Sequence, residues 1–250
     1  MLTRAITSLQ HPIVKKIIKL KAKPKYRDEL KLFVLSTDKI IAEAAEAQEI
    51  ETLLYLENST FHLKLKAKER FPVTQEVLDK CLGYHSSDTC VALFKIYPPA
   101  MNFPYPWLVL DEVQDPGNMG TLLRSALAFG FKTVILIQGS CDLFNDKAIK
   151  SSRGANFHLE VHECSTEEFL SLAQEKKGSL FYADAKGTAI EKTTFGHNTV
   201  IILGNEGHGV SLAIRSKASP IAIPMEKEME SLNVAIAGSI IMYQVKTQAI

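Results

Sequence analysis

The amino-acid sequence predicts an α/β protein in two parts: a smaller N-terminal α/β domain and a C-terminal domain built on a parallel sheet. Three observations predict it. Short apolar runs alternate with amphipathic helical patterns along the whole chain, as they do when helices cross between strands. Downstream runs such as 107–110 and VIIL are continuously apolar, as strands covered on both faces are. Between the parts, KIYPPAMNFPYP (95–106) carries prolines at 98, 99, 104 and 106. Such a stretch neither joins a ladder nor continues a helix. It reads as an extended linker at 98–106 between domains at 1–97 and 107–250.

In chain order, the first part reads as a basic helix at 12–22, the strand KLFVLS, and the helix TDKIIAEAAEAQ capped by Thr37. The strand TLLYLE, a polar helix at 62–70, FPVT, a helix from Gln75 and the strand CVALF follow. In the second part, strands are expected at 106–111, 132–137, 157–161, 179–183, 199–203 and 219–223. A helix at 119–129 shows the stripe Leu122, Leu123, Ala126 and Phe129 and stops at Gly130, a residue suited to a left-handed cap. Ser165 and Glu168 form a capping box for a helix at 166–176. A last helix at 232–245 has Ser231 as its N-cap and a packing stripe of Leu232, Ala235, Ile236, Ser239, Ile240 and Tyr243.

Composition narrows the function classes. The chain has 250 residues, 46% of them hydrophobic, enough for one large or two modest cores. It contains no apolar run long enough to span a membrane and no signal-peptide pattern at its start, so a cytoplasmic location is expected. Cys81, Cys90, Cys141 and Cys164 include no C-x-x-C pair, which points to reduced thiols rather than zinc or a disulfide framework. No metal is expected. His11, His62 and His85 are scattered and read as surface residues.

The net charge of +1 hides an asymmetry. Within 1–32, Arg4, Lys15, Lys16, Lys19, Lys21, Lys23, Lys25, Arg27 and Lys31 face only Asp28 and Glu29, a local +7. Clustered cations on an otherwise acidic protein suit contact with a phosphate backbone. Lys15, Lys16, Lys19 and Lys23 are the candidate RNA contacts, with a solvated helix face as the alternative.

The polar loops DPGNMG, GNEGHG and PMEKEMESLN follow the first, fifth and sixth strands of the second part. Parallel sheets bind ligands at those strand ends. The glycine spacing matches neither G-x-G-x-x-G nor G-x-x-x-x-G-K-[ST], which argues against a nicotinamide oxidoreductase or a P-loop enzyme.

Three stretches in this order, DPGNMGTLLRSALAFG, IILGNEGHGV and IAIPMEKEMESLNVAIAGSIIMYQ, resemble the signature motifs of the SpoU (TrmH-like) RNA 2′-O-ribose methyltransferases of the SPOUT superfamily. The resemblance covers 107–245. The opening ITSLQHPIVKKIIKLK is similar to the small substrate-binding domain of members acting on ribosomal RNA. The chain departs from the family with Ser36-Thr37 where Glu-Gly is common, Asp88-Thr89-Cys90 where Gln-Gly is common, and Lys150 where arginine is frequent.

The resemblance implies a trefoil-knotted C-terminal domain, a homodimer, S-adenosylmethionine as cofactor and an RNA substrate. Ribosomal RNA is favoured; transfer RNA and a non-catalytic RNA-binding assembly factor are the alternatives. Main-chain groups at Leu203, Gly204, Ile223, Met225 and Leu232 would hold the cofactor, and Gly204 and Gly207 would let backbone approach it. Arg124, Asn118, Glu206, Ser231 and Asn233 are the implied catalytic set, with Arg124 acting on the 2′-hydroxyl. Glu206 is expected to fix loop geometry or contact substrate, and His208 to be exposed.

Overall fold

The computed structural model describes residues 5–248. They fall into two compact units: the chain up to Pro98 with Phe144–Asp146, and Pro99–Leu143 with the chain from Lys147 onward. Arg4, counted in the basic segment, lies outside the described residues.

In the first unit, helices α1 (Pro12–Ala22), α2 (Pro24–Leu30), α3 (Asp38–Ala47) and α4 (Gln75–Leu82) accompany strands β1 (Leu32–Leu35), β2 (Ile50–Leu56), β3 (Ala67–Val73) and β4 (Cys90–Lys95). The sheet order is β1-β4-β2-β3, with β2 and β3 parallel and the other pairs antiparallel. Val14, Ile17 and Leu20 of α1 and Val77, Leu78 and Leu82 of α4 form one core with Leu54, Val91 and Leu93.

Several expectations for this unit are corrected. The polar helix at 62–70 is a 3-10 turn, Phe61–Lys64, followed by β3. Lys68 and Glu69 favour helix locally, but β3 is an edge strand where charged side chains face water, and Lys68 Nζ pairs with Glu51 of β2 at 2.6 Å. His62 is buried, its ring stacked on Tyr55 at 4.0 Å and its Nδ1 3.0 Å from Arg70. His85 is exposed as expected and pairs with Asp79, while His11 is half-buried, its Nδ1 accepting from Ile13 N at the start of α1. Thr37 occupies the N-cap position of α3 without a side-chain bond; Asp88 Oδ1 accepts the Asp38 N–H instead (3.0 Å). Asp38 in turn accepts from Thr89 N, Thr89 Oγ1 and Cys90 N. The start of α3 and the loop Asp88–Cys90 are thus tied to each other.

The basic segment is less free than its charge suggests. Arg27 is buried and donates to the carbonyl of Leu20, while Lys21 donates to the Leu82 and Cys81 carbonyls at the end of α4. Lys15, Lys19 and Lys23 are exposed and Lys16 is half-buried; Lys19 Nζ lies 3.7 Å from the centre of the Tyr26 ring.

In the second unit, β5 (Trp107–Asp111), β6 (Thr133–Ile137), β7 (Glu160–Cys164), β8 (Ser179–Ala189), β9 (Thr199–Gly204) and β10 (Ser219–Ala222) make one sheet in the order β10-β8-β9-β5-β6-β7. Every pairing is parallel. Helices α5 (Pro116–Phe129), α6 (Asp146–Ser152), α7 (Thr166–Glu175), α8 (Leu212–Arg215) and α9 (Val234–Gln248) connect and cover it. Alternation divides the strand residues between two cores. Leu108, Leu110, Leu136 and Leu203 pack with α5 and α9, while Trp107, Val109, Ile135 and Ile202 pack with Phe169 of α7 and Ile214 of α8. Burial on both faces is why these strands read as unbroken apolar runs.

Here too the structure moves boundaries. Helix α5 begins at Pro116 rather than 119, because Asp115 caps it by accepting from Asn118 N (2.8 Å) and Pro116 has the φ of a first helical residue. It ends at Gly130 with φ 84. The strand expected at 157–161 starts at Glu160, since Ala155–Phe157 closes a local 3-10 turn after Gly154. Ser231 does not cap the last helix. Asn233 does, its Oδ1 accepting from Ala235 N (2.9 Å) and Ile236 N (3.3 Å). The stripe expected on that helix also splits: Ala235, Gly238, Ile241, Met242 and Val245 are buried, whereas Ile236, Ile240 and Tyr243 are exposed. Part of the proline-rich stretch is packed rather than extended. Phe103 is buried, its carbonyl accepts from Trp107 Nε1 (3.0 Å), and the Tyr105 ring stacks on Trp107.

Candidate active site

Loops after β5, β9 and β10 meet at the carboxyl edge of the parallel sheet, and their polar side chains bond to one another. Glu206, after β9, accepts from Asn118 Nδ2 (2.9 Å) and from the backbone N–H groups of Asp115 (3.3 Å) and Gln114 (3.4 Å). Asn118, in the first turn of α5, accepts on Oδ1 from Asn233 Nδ2 (3.0 Å). Asn233 uses its own Oδ1 to cap α9. One chain of bonds, Glu206–Asn118–Asn233, therefore links all three loops and fixes which way each amide points.

Partial burial pushes the Glu206 carboxyl upward, but donors from Asn118 and from the backbone of Glu206, Gln114 and Asp115 outweigh it and hold the group below its usual value. Asp115 is likewise held down, chiefly by the Asn118 N–H and by Lys147, whose Nζ is 3.0 Å away. Both acids are ionised at neutral pH and tied to their loops.

The loop after β9 is locked from within. Asn205 Nδ2 donates to the Glu112 carbonyl (2.9 Å), and its Oδ1 accepts from Gly207 N (2.8 Å). A Cβ on Gly204 would lie 2.3 Å from backbone atoms of Gly209 and Val210. The loop's own return therefore requires the glycine; at Gly207 a Cβ would meet only Asn205 Oδ1, at an ordinary 3.4 Å. His208 is exposed, 3.5 Å from Glu112.

Beside this network lies a cleft of about 520 Å³. Leu203, Gly204, Ile223, Met225 and Leu232 all line it, as do Glu206, Ser231 and Asn233. Asn118 reaches it through Glu206 and Asn233. Arg124 does not line it: the side chain is exposed on α5 and makes no hydrogen bond or ion pair among the described residues. Sequence reasoning missed Ala183, Asp184 and Ala185, which add a fourth wall from the middle of β8, just past its pairing with β9. Asp184 accepts from Arg215 Nη2 (2.9 Å) and Lys186 N (2.9 Å). The signal was available, because β8 is parallel to β9 and the residues just past their last pairing, Tyr182 with Ile202, reach the same edge.

Comparison with known proteins agrees with this geometry. Residues 106–243 match the family described as SpoU rRNA Methylase. A 23S rRNA guanosine 2′-O-methyltransferase, RlmP, of Bacillus subtilis is 34% identical over 142 residues, covering 56% of this chain and 57% of that protein. The chain thus spans little more than half the length of this relative. An uncharacterized tRNA/rRNA methyltransferase of Synechocystis is 27% identical over 98% of this chain and 94% of its own. Among solved structures, an rRNA methyltransferase from Sinorhizobium meliloti superposes with a TM-score of 0.86 at 26% identity, over 100% of both chains. The SpoU methyltransferase AviRb from Streptomyces viridochromogenes, in complex with AdoMet, gives 0.88 at 23% identity over 96% of this chain and 98% of its own.

Proposed function

Since the chain belongs to the SpoU rRNA methylase family, we propose that it methylates a ribose 2′-hydroxyl of ribosomal RNA with S-adenosylmethionine. The observation that carries this reading is the Glu206–Asn118–Asn233 bond chain, which aligns three family motifs beside one cleft. Relatives named for 23S ribosomal RNA favour a ribosomal over a transfer-RNA target. The reading includes a cytoplasmic site of action and the knotted threading expected of the family.

The cleft fits the cofactor's chemistry. Its apolar walls, including Leu203, Ile221, Ile223 and Leu232, suit a nucleoside, and the carboxylates of Asp184 and Glu206 give it the charge that a cationic ligand needs. Leu203, Gly204, Ile223, Met225 and Leu232 would hold it, and when bound it supplies an electrophilic methyl group on a sulfonium. The chain's own part is orientation and charge. Asn118 and Asn233 each have an amide N–H beyond the one in the network, available to a ribose oxygen. The Ser231 hydroxyl, exposed and unpartnered among the described residues, is a further donor at the rim. Glu206 holds the loops rather than acting as a base, because its oxygens are occupied by donors. The role of Arg124 is to orient the 2′-hydroxyl through its N–H donors and stabilise the forming alkoxide while the proton passes to water or an RNA phosphate.

The protein partner in this reading is a second copy of the chain. The exposed row Ile236, Ile240 and Tyr243 on α9, with Phe129 of α5 set edge-on to Tyr243, gives that contact an apolar face. Purified protein with S-adenosylmethionine and unmodified ribosomal RNA should give a 2′-O-methylated nucleotide; transfer of methyl to transfer RNA alone would redirect the assignment.

A further inference from the structure

We propose that Arg153 is a substrate-positioning residue that takes an RNA phosphate beside the nucleotide addressed by Arg124, an inference that rests on the ribose-methylation reading. The placement follows from how α6 lies along α5. Lys147, at the start of α6, pairs with Asp115 at the cap of α5, and its Cε is 3.2 Å from where a Gly117 Cβ would stand. One turn further along α5, a Cβ on Gly120 would meet the Ala148 carbonyl, Ser151 Cβ and Ser152 N at 2.4–2.8 Å. The two segments therefore advance together, from Lys147 at Asp115 to Ser152 at Gly120. Arg124 is four residues beyond Gly120, hence on the same helix face. The chain leaving Ser152 continues to Arg153 and then to the 3-10 turn Ala155–Phe157, which also packs on α5. Arg153 thus directly follows the residue that packs at Gly120, one turn before Arg124 on α5.

Two features mark Arg153 as kept for its side chain. Its φ is 50, in the left-handed region, where arginine has no local hydrogen bond to offset the strain and glycine, asparagine or aspartate would be easier. The side chain is also exposed and has no hydrogen bond or ion pair among the described residues, as is true of Arg124. Two guanidiniums without an ion-pair partner on adjoining segments suit a polyanion laid along that surface. Each guanidinium can grip a phosphate with paired N–H groups.

The test uses the full chain and ribosomal RNA freed of protein from cells lacking the gene. Filter binding over a salt series should show Arg153→Gln weakening the RNA about fivefold to tenfold and flattening the slope of log K against log salt by roughly 0.7 to 0.9, one phosphate contact. Arg153→Lys should keep the slope. Arg153→Gly should lose the contact as Gln does, yet melt no lower than the wild type because the left-handed strain is relieved. In turnover, Arg153→Gln should raise KM for RNA with kcat nearly unchanged, and calorimetry should show unaltered S-adenosylmethionine affinity. Wild-type slope and KM in the Gln and Gly variants would overturn the proposal while leaving ribose methylation standing. A wild-type protein that binds S-adenosylmethionine but neither binds nor methylates the RNA would overturn both.

Discussion

The two units put polar chemistry to opposite uses. In the N-terminal unit, charged groups that look available are consumed by the fold: Arg27 is buried against α1, Lys21 closes the end of α4, and Asp38 joins β4 to α3. In the C-terminal unit the interior is almost wholly apolar on both sheet faces, and the polar residues gather at one edge, where they bond loop to loop. A parallel sheet brings the loops that follow its strands to one edge, the place where such sheets bind ligands.

If this contrast is right, substitutions at the edge should cost chemistry more than stability. Arg124→Ala should lower methyl transfer a hundredfold or more, about 3 kcal/mol of transition-state stabilisation, with little change in melting temperature or cofactor affinity. Turnover within a few-fold of wild type would take Arg124 out of the mechanism.

Gly204→Ala tests the opposite case, an edge residue whose role is packing. The added Cβ meets backbone rather than a flexible side chain, so a loss of about 2–3 kcal/mol in denaturant melts is expected, together with lost cofactor binding. RNA binding expected of the exposed α1 lysines should persist.

Reversing Lys15, Lys16, Lys19 and Lys23 to glutamate sharpens the comparison from the other side. RNA binding should weaken and its salt slope flatten by up to about 3, four contacts at roughly 0.7 each, with S-adenosylmethionine affinity intact. An unchanged slope would mean that the helix face is merely solvated.

The smallest expected effect is on pH. Burial lowers the pKa of His62 in one unit and His162 in the other. Both rings are therefore neutral in the fold, and the unfolded chain binds their protons first as pH falls through about 6.5. Stability should be complete above that value and decline below it, before acid denaturation proper. Urea melts at about pH 7.5 and 5.5 check this, and identical midpoints would contradict it.

The three loops were legible because they follow continuous apolar strands, whereas Asn118, Glu206 and Asn233 were named within them only because the stretches resemble the SpoU motifs. What the sequence hid were choices settled by partners distant in the chain. Lys68 and Glu69 suggest a helix until β2 is beside them. Ser231 and Asn233 are equally good caps by type, and the start of α9 selects the second. Ile236, Ile240 and Tyr243 share a helical stripe with Ala235, yet only contact with Leu122 and Leu203 decides which side is inside. Asp184 was missed because no motif surrounds it.

The central claim is that the cleft and the bonded loops perform ribose methylation. Ribosomal RNA from cells lacking the gene, incubated with S-adenosylmethionine and either wild-type or Arg124→Ala protein, can be mapped by mass spectrometry of its nucleotides. The account predicts one new 2′-O-methyl group with the wild type and essentially none with the variant. A wild-type protein that is folded, binds both S-adenosylmethionine and the RNA, and leaves every ribose unmodified would contradict it.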